Sequence, residues 1–154
     1  FAFNTGLRTS ELIGLKWENV DFENDRFYVR SAIVRKIEKQ AKTFSGMRTV
    51  FLNDQSRIAL KSQRSITGTR NSLVFTDDRN PGQPLDDQKI RKRYWTPALK
   101  NAGIPYRSPY QSRHTFASQS LQSGKSPTWV ASQLGHKNAS TTFARYARWI
   151  PNNE

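Results

Sequence analysis

Residues 109–150 read PYQSRHTFASQSLQSGKSPTWVASQLGHKNASTTFARYARWI, and the punctuation of that stretch decides the fold. Gly124, Ser126-Pro127 and Gly135 cut it into helices. The first spans Pro109–Ser123 and stops at Gly124. The second has Ser126 as its cap, Pro127 at its first helical position and Gly135 at its end. A third begins at Ser140, and Pro151 keeps it from running far. The last third of the chain is therefore helical.

The polar residues on these helices fall at informative spacings. Tyr110 and Arg113 stand three apart on one face, so a phenol and a guanidinium project together. Ala117 and Leu121 continue that face inward, which would leave Arg113 partly buried and in need of an anion. No Asp or Glu occurs from 88 to 153. The candidates are a distant carboxylate such as Glu11 or a ligand phosphate; the plainer alternative is an exposed face with Arg113 in water. His136 follows Gly135, whose backbone would fix the imidazole where it can bond a phosphate oxygen or move a proton. Phe143, Tyr146, Ala147 and Ile150 recur at helical spacing, so Tyr146 reads first as a core residue. Its neighbours Arg145 and Arg148 allow a second reading, because a phenol with a pKa of about 10 needs nearby cations to act as a nucleophile.

Upstream the pattern changes. Thr9 or Ser10 is expected to cap a short helix through Trp17, with Leu12 and Leu15 inward. Arg26–Lys39 reads as extended, Gln40–Gly46 as a polar turn and Met47–Leu52 as a returning strand, giving a hairpin or three-stranded meander. Asn53 caps a helix reaching Thr67 and stopping at Gly68. Leu73–Thr76 reads as a short buried strand and Asn80–Pro84 as a loop. Asp86 caps a basic helix from Gln88 to about Ala102, interrupted or bent near Pro97. The expectation is one α+β domain, mainly α, with a small antiparallel β-sheet near the N-terminus. Here Arg8 sits just before a helix start, where backbone N–H groups and a guanidinium can converge on one anion; a surface arginine after a turn is the alternative. Lys42, in the polar turn between strands, can enter a DNA groove or donate a proton, or simply be solvated.

Composition narrows the function. The 154 residues suit one domain, and the absence of cysteine removes disulfide scaffolds and thiolate-ligated metals. No apolar run approaches 18 residues, so no membrane partner or span is expected. The chain opens Phe1-Ala2-Phe3, without initiator Met or signal pattern, and is expected to be a fragment of a longer soluble, cytoplasmic protein. Net charge is +13; residues 88–154 hold 11 basic residues and one acidic. Such a balance points to double-stranded DNA or RNA. Asp77-Asp78 and Asp86-Asp87 sit at turn and helix-start positions without a third carboxylate, which disfavours a two-metal nuclease. His114 and His136 are the only histidines, too few for a metal site without a carboxylate.

Taken in order, these segments resemble the catalytic domain of tyrosine recombinases, the phage and mobile-element integrases. Thr5-Gly6-Leu7-Arg8-Thr9-Ser10-Glu11-Leu12 looks like the first arginine box. Lys42-Thr43 before Met47-Arg48-Thr49-Val50 is similar to the β-hairpin lysine segment, and Ser112-Arg113-His114-Thr115-Phe116-Ala117-Ser118 to the second arginine box. Leu134-Gly135-His136 follows, and Tyr146 falls ten residues later, in the nucleophile's place. The second box departs from the family's His-x-x-Arg pattern, with Tyr110 in the first position. A phenol can donate to a phosphate but is a poor base, so the proton acceptor for Tyr146 is left among His136, Lys42 and water. The resemblance implies that Tyr146 attacks a DNA phosphate to form a 3′-phosphotyrosine while Arg8 and Arg113 hold its oxygens. Lys42 protonates the departing 5′-oxygen, and His136 and Tyr110 donate hydrogen bonds. It implies no metal or nucleotide cofactor, self-association into a tetrameric synapse on DNA, and an N-terminal DNA-clamping domain absent from residues 1–154. An inactive DNA-binding module of the same fold and a type IB topoisomerase are the alternatives.

Overall fold

Alternation in Arg26–Val29 turns Phe27 and Val29 inward, and Val50 meets Phe27 from the neighbouring strand. The computed structural model describes residues 1–40, 47–68 and 72–151. In it, β1 (Val20–Asp21), β2 (Arg26–Val29) and β5 (Arg48–Phe51) form an antiparallel sheet in the order β1-β2-β5. Between β2 and β5 the chain makes a separate hairpin, β3 (Ser31–Val34) with β4 (Ile37–Gln40). Its turn residues Arg35 and Lys36 both have positive φ, as a tight two-residue hairpin turn requires. The expected continuous extended stretch is thus broken at Arg30 and again at Arg35-Lys36. Lys42 and the rest of the expected turn at 41–46 lie outside the described residues.

Helix α1 (Thr9–Ile13) is shorter than expected. Gly14 ends it, and the chain then turns so that the Leu15 carbonyl accepts from the Val74 N–H, leaving Trp17–Asn19 as a separate 3-10 turn. Helix α2 (Asp54–Thr67) begins as the sequence indicates, with the Asn53 side chain accepting from the Ser56 N–H at 2.9 Å. Leu73 only bridges Lys16; the strand lies further on, at β6 (Thr76–Asp77). Residues Asn80–Pro84, expected as a loop, form β7 against β6. The pairing is irregular, and the buried Asp77 carboxylate fastens it by accepting from the Arg79 N–H and the Asn80 amide. Prolines are admitted at such a short edge strand, where missing donors cost little.

The basic helix opens on Asp86, which caps the Lys89 N–H at 2.7 Å. It is continuous through α3 (Asp87–Lys89), a π-helical segment (Ile90–Trp95) and α4 (Thr96–Asn101). The wider turn accommodates Pro97, which has no N–H to give. Three helices finish the chain: α5 (Gln111–Gln122), α6 (Pro127–Leu134) and α7 (Ala139–Tyr146). Asn138 caps the last one through the Thr141 N–H, so that helix starts at Ala139, one residue before the expected Ser140.

The result is α+β and mainly α, with its small antiparallel sheets toward the N-terminal half. One apolar core joins Leu7, Phe27, Val50, Leu60 and Val74; another joins Phe116, Ala117, Leu121, Val130, Leu134 and Tyr146. Gly6 sits at the seam with φ +62, where a Cβ would lie 2.5 Å from the Phe116 ring and 2.8 Å from Leu134. Glycine is needed there twice, for the left-handed backbone and for the close approach. That contact brings the segment before α1 onto α5 and α6.

Candidate active site

Arg8 is itself the capping residue of α1, one position earlier than the sequence suggests. Arginine offers no acceptor, so Glu11 supplies it from inside the helix: Oε2 accepts from the Arg8 backbone N–H at 2.9 Å and Oε1 from Nη1 at 2.7 Å. Arg48, on β5, reaches the same carboxylate with Nη1 and Nη2 at 3.0 and 2.8 Å, while its Nε donates to the Gln133 carbonyl at 2.7 Å. Burial alone would raise the Glu11 pKa, but the hydrogen bonds and charges of Arg48 and Arg8 outweigh it and hold the carboxyl at about 2. The Arg8 side chain remains 39% exposed.

Arg113, on the first turn of α5, is only 1% exposed. The carboxylate considered for it, Glu11, forms its ion pairs with Arg48 and Arg8 instead. Arg113 is held by two backbone carbonyls: Nη1 donates to Gly6 at 2.7 Å and Nη2 to Leu134 at 2.6 Å. These bonds tie the loop carrying Arg8 to the helix end carrying His136. Burial, then repulsion by Arg8, lowers the Arg113 pKa to about 10, so it stays charged at neutral pH. Among the described residues no carboxylate forms an ion pair with it, and three of its five N–H donors find no protein acceptor.

Gly135 (φ 67) reverses the chain after α6, and His136 comes to rest with Nδ1 2.8 Å from the Thr142 hydroxyl of α7. Burial, then the charges of Arg113, Arg8, Arg145 and Arg48, push its pKa down to about 4. It is neutral at pH 7. Tyr146 ends α7 almost fully buried, packed in the second core as its spacing suggests. Its hydroxyl nevertheless reaches a polar partner, the Nδ1 of His114, at 2.6 Å. Burial raises the phenol pKa, and Arg113 and Arg145 oppose that rise. Tyr110 stands at the surface with its ring edge-on to His114, centroids 5.1 Å apart.

Five of the six expected site residues therefore lie on elements that hydrogen bonds and ring contacts tie together. Arg113 links the Arg8 loop to the His136 turn, His136 bonds the helix that ends in Tyr146, and Tyr146 returns through His114 to Tyr110 and α5. Lys42 lies outside the described residues. A cavity of about 620 Å³ runs beside Arg8 and Tyr110 and is lined by Arg91, Gln88 and Tyr106 as well. Sequence reasoning missed the Arg48 and His114 contacts. Both residues stand inside the quoted motifs, yet nothing in their spacing tells which atom they touch.

The chain belongs to the family described as the phage integrase family, whose profile matches residues 1–152. It is 34% identical, over 97% of its length, to the prophage integrase IntR of Escherichia coli, and 31% identical to a tyrosine recombinase XerC-like protein of Caldanaerobacter subterraneus. It spans 42% and 44% of those proteins, about two fifths of their length. The crystal structure of XerA recombinase superposes with a TM-score of 0.77 at 28% identity, covering 99% of this chain and 51% of that one. The Tn1549 transposon integrase in complex with circular intermediate DNA shares the fold, with a TM-score of 0.81 at 24% identity, over 94% of this chain and 52% of that one.

Proposed function

We propose that residues 1–154 are the catalytic domain of a site-specific DNA recombinase that cuts and rejoins strands through a 3′-phosphotyrosine at Tyr146. The observation that carries this reading is Arg113. A buried, charged guanidinium with carbonyl partners only and spare N–H donors is a standing site for an anion. The half-exposed Arg8, on the loop that Arg113 holds through the Gly6 carbonyl, adds a second cation, and a DNA phosphate matches that charge. Net charge of +13 favours the same partner, and the Tn1549 relative was solved on DNA.

In this mechanism Arg8 and Arg113 hold the two non-bridging oxygens and stabilise the charge that grows at the pentacoordinate phosphorus. His136 is neutral; with the Thr142 hydroxyl donating to Nδ1, the ring proton sits on Nε2 and is available to a phosphate oxygen. Tyr110 donates from the surface side, and Lys42 protonates the 5′-oxygen as it leaves. Attack by a 5′-hydroxyl from a partner duplex then reverses the step and exchanges strands, within a tetrameric synapse. A suicide duplex, selected for binding from random sequence and nicked beside the cleavage point, tests the reading. A covalent protein–DNA adduct that Tyr146→Phe abolishes supports it; tight binding without any adduct assigns the chain to DNA binding alone.

A further inference from the structure

We propose that His114 is the base that takes the proton from Tyr146 when the phenol attacks. The proposal rests on the phosphotyrosine reading above and adds to it the proton acceptor for Tyr146, whose hydroxyl bonds none of the expected residues among those described. Nδ1 of His114 lies 2.6 Å from the Tyr146 hydroxyl, a hydrogen-bonded contact with the reacting atom itself. Of the residues considered for this step, Lys42 lies outside the described residues. His136 turns its Nδ1 to the Thr142 hydroxyl, and a phenol is a far weaker proton acceptor than an imidazole. Tyr110 instead lies edge-on to the His114 ring, which is clamped between the two tyrosines.

The charge around the imidazole suits an acceptor. Burial, then Arg145 and Arg113, lowers the His114 pKa below its ordinary value, so the ring is neutral at pH 7. The groups facing it are the phenols of Tyr110 and Tyr146, Arg113 on its own helix and Arg145 on α7. With Nδ1 bare, the ring proton is on Nε2 and the Tyr146 O–H donates. Full transfer to so weak a base is uphill at rest. The proton therefore moves as the new bond forms: the Tyr146 oxygen bonds to phosphorus, its proton passes to Nδ1, and the P–O5′ bond breaks with its electron pair going to O5′. That oxygen takes a proton from Lys42 or solvent. Imidazolium then forms beside Arg113 and Arg145, a repulsion that favours returning the proton during rejoining.

The test uses single-turnover cleavage of the nicked suicide duplex between pH 5 and 9. His114→Ala is expected to bind DNA as the wild type does and to cleave about 100-fold or more slowly, as loss of a general base requires. Added imidazole should restore at least tenfold, and substituted imidazoles should restore in order of their basicity, which a packing role does not explain. Cleavage within threefold of wild type at every pH, or a loss that imidazole leaves untouched with DNA binding intact, overturns the proposal. Should His114→Ala fail to fold, His114→Gln keeps a polar side chain at the phenol; it should cleave slowly and lose the wild type's acid limb below the ordinary histidine range. A wild-type acid limb retained in that variant sinks the idea equally. If the wild type itself gives no Tyr146-dependent adduct, the parent reading falls; if it does and His114→Ala cleaves normally, only His114 falls.

Discussion

Arg48 grips both oxygens of Glu11 at 2.8 and 3.0 Å, and the same carboxylate holds Arg8 at 2.7 Å. One buried anion is shared by two arginines, one buried and one half in solvent. The arrangement joins β5 to α1 and, through the Gln133 carbonyl, to α6. Removing Arg48 leaves a desolvated carboxylate with a single partner at its edge. Arg48→Gln should therefore lower unfolding free energy by about 3–5 kcal/mol in urea denaturation. The double variant Glu11→Gln/Arg48→Gln should recover a good part of that loss, since neither charge is then stranded. A loss under about 1 kcal/mol for the single variant means the pair is not buried as described.

The same carboxylate sets an acid limit on stability. Its pKa is depressed in the fold, to about 2, so its contribution is complete above its ordinary value of 4.5 and is lost as pH falls through about 2. The difference amounts to about 3 kcal/mol. Thermal melts from pH 6 to pH 2 should show a decline in that window that Glu11→Gln flattens. An equal decline in the variant assigns acid sensitivity to other groups, with Asp77 the next to examine.

Gly6 offers a test of how the two cores meet. Gly6→Ala introduces a Cβ within 2.5 Å of the Phe116 ring in a left-handed backbone. Overpacking of that kind costs about 1–3 kcal/mol, and backbone strain adds to it. Gly103→Ala has φ +67 as well but nothing within 4 Å, and should show the strain alone. Equal melting temperatures for the two variants contradict the close approach. The Gly6 variant should also lose cleavage, because its carbonyl anchors Arg113.

Arg113→Lys separates holding from chemistry. A lysine keeps the charge but cannot bridge two carbonyls and a phosphate with one planar fork. Duplex affinity should change by less than about threefold, while single-turnover cleavage falls by about 100-fold or more, the scale of losing a fixed donor to a developing charge. Parallel losses in both would deny Arg113 a role in the transition state.

Most helix ends were legible because each is written locally. Asn53, Asp86, Ser126-Pro127 and Gly135 do what isolated capping chemistry says. The errors fall where distant contacts decide. Asn80–Pro84 carries turn residues, yet pairs with β6, and the Asp77 carboxylate steadies the turn between them by accepting from the Arg79 N–H and the Asn80 amide. The helix reading through Trp17 fails because Leu15 and Lys16 are drawn away to Val74 and Leu73. At the candidate site, helical spacing suggested a face shared by Tyr110 and Arg113 and a partly buried Arg113, with an exposed face as the alternative. The shared face does not hold, since Tyr110 stays at the surface while Arg113 is buried, and spacing could not show that Arg113 rests on Gly6 and Leu134, that Arg48 takes Glu11, or that His114 meets Tyr146. Those pairs are 107, 21, 37 and 32 residues apart.

The most direct measurement is mass spectrometry of protease-digested protein after reaction with the nicked suicide duplex, locating the residue that carries the 3′-phosphate. The account predicts the nucleotide on the Tyr146 oxygen and on no other side chain. Attachment at a different tyrosine, such as Tyr110, or cleavage that leaves the protein unmodified, would contradict it.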